Sequence, residues 1–115
     1  MKKLSKILII CFIVFNPLVV HSAEILQIKN SNTILVGEQN RNLTIQLFCV
    51  DVNENDELEA TDLLMNEFPR GSKVKIKPFG FKKDILLAKV FNIKGNKEMT
   101  ELLFAKDLSR ENCTN

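Results

Sequence analysis

The stretch Leu43–Glu54, LTIQLFCVDVNE, decides how this chain reads. Its apolar and β-favouring side chains predict a strand over Leu43–Val50. Alternation puts Leu43, Ile45, Leu47 and Cys49 on one face and Thr44, Gln46, Phe48 and Val50 on the other. The strand runs into two carboxylates, Asp51 and Glu54, next to the Cys49 thiol. Carboxylates at a strand end can serve acid–base or metal-assisted chemistry. Inside the strand, where such a site wants a cation, stands the neutral Gln46.

Upstream, Lys2, Lys3 and Lys6 precede an apolar run over Ile7–Val20, and His21-Ser22-Ala23 follows. This is the basic, apolar, small-residue order of a secretory signal peptide, with cleavage expected after Ser22 or Ala23. The run is shorter than the about 20 apolar residues that a membrane helix needs, and Asn16 and Pro17 interrupt it. A retained N-terminal anchor is the alternative. The expected organisation is a signal peptide over 1–23, one domain over 24–109 and a C-terminal tail over 110–115, without an integral membrane anchor after cleavage. The protein is then extracytoplasmic, periplasmic or secreted, and a monomer.

Removing the leader changes the charge. The whole chain has 16 Lys+Arg and 14 Asp+Glu. Three lysines and no acid lie in residues 1–23, so 13 basic side chains face 14 acidic ones in the remainder. Overall charge therefore asks for no nucleic acid partner. About 90 residues make one small domain that buries roughly 60–65 % of its surface. Two cysteines remain, Cys49 and Cys113. An even pair in an exported domain predicts a disulfide. Closing a loop of about 65 residues contributes roughly 4 kcal/mol by chain entropy.

The only histidine is His21, in the leader, and the chain has no Tyr and no Trp. Histidine-activated nucleophiles, a histidine general base and the usual zinc sites are thereby excluded from the mature chain.

Working outward from Leu43–Val50, strands are expected at Ile25–Lys29, Thr33–Val36, Lys73–Pro78 and Ile85–Ile93, the last buried on both faces in its first half. Gly37–Asn42 and Phe79–Asp84 are expected loops. One helix is expected from a cap at Asn55 or Asp56 to Phe68, burying Leu58, Leu64, Met65 and Phe68. A second is expected from a cap at Asn96 to about Ser109, burying Met99, Leu102 and Leu103. The order β-β-β-α-β-β-α predicts a mainly β protein with two helices (α+β), a five-stranded OB-fold barrel.

In this arrangement the residues resemble the staphylococcal nuclease-like (thermonuclease) family. Where that family has Asp-Gly-Asp-Thr-(Val/Ile), this chain has Asn30-Ser31-Asn32-Thr33-Ile34. Where the family has an arginine-bearing strand and then (Val/Ile)-Asp-x-Pro-Glu, this chain has Ile45-Gln46-Leu47-Phe48-Cys49 and then Val50-Asp51-Val52-Asn53-Glu54. Its Lys82–Ala88 and Lys106–Ser109 stand where the family has its later hairpin and closing helix motifs. The resemblance implies calcium held at Asp51 and Asn32, and Glu54 at the position of the proposed general base. It also implies that the two arginine positions are occupied by Gln46 and Ile85. Neither supplies the fixed charge that phosphoryl chemistry needs. The implied protein is nuclease-like but catalytically degenerate, leaning away from an enzyme. A weak calcium-dependent phosphodiesterase is the alternative. Asp51 also suits a turn, and Glu54 suits the start of a helix.

Charge is segregated along the chain. Asp51–Glu67 holds seven acids and no base, and Arg70–Lys97 holds nine bases and one acid, Asp84. The segment Lys77-Pro78-Phe79-Gly80-Phe81-Lys82-Lys83 interleaves aromatics with lysines. Single-strand binding uses that combination, base stacking plus phosphate attraction. Lys77, Phe79, Phe81, Lys82 and Lys83 are therefore the candidate contacts for a single-stranded nucleic acid or another polyanion. A protein partner is the other expected ligand. The plain alternative is that the two phenylalanines pack on the barrel and the lysines solvate an edge.

Overall fold

A computed structural model describes residues 21–113. The segment 1–20, which carries most of the expected leader, lies outside them. Seven strands form in chain order: β1 His21–Ile28, β2 Thr33–Glu38, β3 Arg41–Leu47, β4 Val50–Asp51, β5 Lys73–Lys82, β6 Ile85–Asn92 and β7 Arg110–Glu111. Two helices accompany them, α1 Glu57–Glu67 and α2 Met99–Ala105. The protein is mainly β, with five strands closed into a barrel in the order β1-β2-β3-β6-β5. Pairing of β1 with β5 closes it, and β3 on β6 is its parallel contact. The expected seven-element order gains two short strands, because β4 and β7 pair in a separate ribbon.

Alternation explains the core. Ile34 and Val36 of β2, Ile45 and Leu47 of β3, Val74 and Ile76 of β5, and Leu86, Ala88 and Val90 of β6 are all buried. In β1 a register shift between Ile25 and Gln27 absorbs one extra residue. Ile25 and Ile28 can therefore both face inward although three positions apart. The outer residues of β6, Ile85 and Leu87, are half-buried, so the strand is not fully covered on both sides as expected.

The helices close the barrel with narrower faces than the sequence spacing implies. On α1, Ala60 and Leu64 are buried, and Phe68 follows just after the helix. Leu58 and Met65, expected in the core, are 76 % and 46 % exposed. A 3-10 turn at Glu54–Asp56 leads into the helix, which starts at Glu57 after Asp56, one of the two expected cap positions. The face that meets the barrel is the i, i+4 pair Ala60 and Leu64, which does not include Leu58 or Met65. On α2, Met99 and Leu103 are buried, and Leu108 beyond it is buried too. Its cap is Glu98, whose side chain accepts the Thr100 N–H, and not Asn96.

Both expected loops are shorter than their sequences indicate. Gln39 and Asn40, with φ of 47° and 69°, make a two-residue turn between β2 and β3. This is the tight hairpin geometry that matches strand twist. β5 runs on through Phe79 to Lys82, and Lys83, with φ of 58°, turns it into β6. The β1–β2 turn is fastened from afar: Glu57 at the start of α1 accepts hydrogen bonds from the backbone N–H and the hydroxyl of buried Ser31.

The tail is stapled. Cys49 and Cys113 form a disulfide. The C-terminal segment lies along the end of β3: Val50 pairs with Glu111 and Asp51 with Arg110, and the Asn112 N–H donates to the Cys49 carbonyl. The domain boundary expected after Ala23 falls inside β1, where Ala23 is buried opposite Val74.

Cys113→Ser should lower the unfolding free energy by about 2–4 kcal/mol. Urea unfolding followed by circular dichroism reads this as a lower midpoint. An unchanged midpoint would mean that the β4–β7 ribbon holds the tail without the covalent link.

Candidate functional site

The outer rows of β5, β6 and the end of β3 bring aromatics and lysines together. Register pairs Lys75 with Phe91, Lys77 with Lys89 and Pro78 with Ala88, and then shifts so that Gly80 pairs with Leu87. Phe79 is the extra residue at that shift. A bulge re-aims a side chain, and it accommodates the adjacent Pro78, which has no N–H for the ladder. From the other side the Phe48 N–H donates to the Ala88 carbonyl, which continues the parallel β3–β6 contact by one residue. Phe48 and Phe79 thereby meet across Ala88. Their rings stack with centroids 4.4 Å apart and planes inclined by 11°.

The Lys77 and Lys89 ammonium groups lie over the Phe79 ring, 5.7 and 5.8 Å from its centroid. At exposed sites such contacts contribute about 0.5–1 kcal/mol each. Phe79 is 44 % exposed, and Phe81, further along the hairpin, is 70 % exposed. Of the residues expected in this face, the structure joins Lys77 and Phe79 directly. Phe81, Lys82 and Lys83 stand at the exposed hairpin end. Sequence reading missed Phe48 and Lys89. Alternation put Phe48 on the correct outer side of β3, but only the β3–β6 register makes it a neighbour of Phe79.

Glu98 sits behind this face. Its backbone bridges to Phe91, two residues along β6 from Lys89. Its side chain is buried, and burial raises its pKa above the usual glutamate value. The hydrogen bond from the Thr100 N–H and the positive charge of Lys89 partly offset that rise. Among the described residues, Glu98 Oε1 and Thr100 Oγ1 are buried without a hydrogen-bond partner.

The acid positions lie elsewhere. Asp51 is exposed in β4, and its N–H donates to Ser109 Oγ. Glu54 is exposed in the 3-10 turn. Asn32 holds the β1–β2 turn: its carbonyl accepts the Leu47 N–H, and its Oδ1 accepts from the Thr33 hydroxyl. Gln46 pairs with Thr33 on one side and Leu87 on the other, and Ile85 pairs with Lys82. Among the described residues, no hydrogen bond joins Asn32 to Asp51 or Glu54. Nor does any group of three or more His, Cys, Asp or Glu converge as a metal site. A calcium ion takes six to eight oxygen ligands, more than the Asp51 and Asn32 side chains supply. Among the described residues no helix is long and apolar enough to cross a membrane.

No family model matches this chain, and no curated protein matches it.

The raised pKa of Glu98 has a signed consequence. The folded chain holds that proton to higher pH than the unfolded chain does. Its stabilising effect is therefore complete below the usual glutamate range and is lost as pH rises through the raised value. Glu98→Gln keeps a cap acceptor and cannot ionise. Its melting temperature should gain on wild type as pH rises from about 4 to about 8. Parallel curves across that range would remove the buried charge as the cause. Glu98→Ala should lose about 1 kcal/mol through the missing cap at either pH.

Proposed function

We propose that this chain is an extracytoplasmic, nuclease-like OB-fold domain that binds single-stranded nucleic acid and does not cleave it. The observation that carries the reading is the Phe48–Phe79 stack lying among lysines, with a second exposed ring, Phe81, further along the same hairpin. Bases stack on exposed aromatic rings whatever their sequence, while lysines track the phosphates. In OB folds the loop between the fourth and fifth barrel strands is one of the two that grip oligonucleotides. Here the corresponding hairpin carries Phe81, Lys82 and Lys83.

Absence of cleavage follows from the positions that the family resemblance assigns to arginine. Gln46 and Ile85 offer no guanidinium to charge developing on a phosphate, and loss of such donors costs orders of magnitude in rate. The disulfide is of the kind that persists in oxidising compartments. It supports the extracytoplasmic assignment together with the basic-then-apolar N-terminus.

The test is fluorescence anisotropy with a labelled oligothymidylate of about 15 nucleotides, within the site size of OB folds. Wild type should bind, and the affinity should fall as salt is raised. Phe81→Ala should weaken binding by about 1–3 kcal/mol, roughly five- to more than a hundredfold. Lys82→Ala with Lys83→Ala should make the salt dependence shallower by about 1.4 in logarithmic slope, two phosphate contacts for a single strand. The same oligonucleotide incubated with excess calcium should remain intact. No binding at low salt, or binding indifferent to Phe81, Lys82 and Lys83, would overturn the reading.

A further inference from the structure

We propose that Lys77 and Lys89 form a two-point site for one phosphate group, set on the face of the Phe79 ring. The proposal rests on the nucleic acid reading for its natural ligand, a phosphodiester, but its geometry stands apart from the hairpin end. Lys77 and Lys89 are direct cross-strand partners in the β5–β6 register. Partners of this kind hold their Cβ atoms about 5 Å apart, and like charges placed so repel. Among the described residues neither lysine is in an ion pair, whereas Lys73 and Lys97 reach Glu24 and Glu67. Glu98, on which the Lys89 charge acts, is buried and engaged in capping α2.

Left to themselves, two unneutralised ammonium groups would swing apart into water. Here both are held over one ring at nearly equal distances, 5.7 and 5.8 Å. Phe48 covers one face of that ring, and both ammonium groups lie within about 6 Å of its centroid. The stack therefore gathers two positive charges beside one apolar ring. A tetrahedral oxyanion has the charge and the acceptor oxygens to lie between them, and lysine serves phosphate as a compact point charge. It would also relieve the repulsion that the free protein carries. No base needs to displace the lysines from Phe79, because Phe81 offers an uncovered ring.

The experiment uses the full chain and the double variant Lys77→Met with Lys89→Met. Both lysines are on the outer surface, so the β-sheet amide spectrum of the variant should match wild type. Inorganic phosphate is titrated first, at constant ionic strength. The side-chain resonances of Lys77 and Lys89 should shift together in wild type, and the Phe79 ring resonances should shift with them. The Phe79 response should vanish in the variant.

Oligothymidylate binding is then measured against salt. One shared phosphate predicts a slope shallower by about 0.7 in the double variant. A change of about 1.4 would assign two separate phosphates and overturn the shared site. Oligonucleotide binding with an unchanged slope and no phosphate response would overturn the site while leaving the single-strand reading in place. A phosphate response confined to Lys77, Lys89 and Phe79, without any oligonucleotide binding, would keep the site and remove that reading.

Discussion

The parallel pairing of β3 with β6 is the contact on which the rest of the molecule depends. It sets Ile45 against Leu86, Gln46 against Leu87 and Leu47 against Ala88. The two strands are separated in sequence by α1 and the whole of β5. A contact of such long range is made only after the intervening loop entropy has been overcome. Once made, it joins β1–β2–β3 to the β5–β6 hairpin and fixes which side chains enter the barrel. A slip of one residue would send Ile45 and Leu47 to solvent and bring Gln46 and Phe48 into the core. The same register carries Phe48 to Ala88, and so to Phe79. Core and ligand face are two sides of one alignment.

At the end of β3 the chain departs from alternation, and the departure is built in. Cys49 has φ of 66°, a left-handed conformation that costs a residue with a β-carbon of order 1 kcal/mol. Cys49 and Val50 are both buried, which no straight strand allows for neighbours. The disulfide to Cys113 and the Asn112 N–H to the Cys49 carbonyl hold that turn from the C-terminal side. Phe48 is the residue immediately before it. Tail, turn and aromatic stack are therefore continuous along the chain, and the staple lies next to the stack as well as the tail.

Much of this was legible in LTIQLFCVDVNE and its surroundings, because inward alternation is a local property. Val74 and Ile76, Ile45 and Leu47, and the Cys49–Cys113 pair were all readable without knowing the partners of their strands. What could not be read depends on distant registers and on backbone signs. Gln39 and Asn40 turn in two residues with φ above zero, a geometry that the Gln-Asn pair announces weakly beside Asn-Gly. Phe79–Lys82 looked like a loop because Pro and Gly punctuate it, yet a bulge lets the strand continue. Leu58 and Met65 have helical spacing, but the barrel meets the Ala60–Leu64 face of the helix instead. Lys89 alternates correctly along β6. It acquires meaning only opposite Lys77.

The displacement of positive charge ties these observations to the proposed function. A hydrolytic phosphate site needs its cations where charge develops during bond breaking. In the row where the family resemblance assigns them, Gln46 is flanked by Thr33 and Leu87, all uncharged. Lys75, Lys77 and Lys89 stand instead on the outer rows of β5 and β6, the last two over the Phe79 ring. Charge placed there attracts a phosphate backbone in its ground state and in any transition state alike. Uniform attraction of that kind tightens binding without accelerating a chemical step. The acidic run over Asp51–Glu67 lies on other elements and leads into α1. Under the proposed function, its repulsion favours the β5–β6 side for a polyanion, so one segregated charge pattern serves both to attract such a ligand and to limit where it lies.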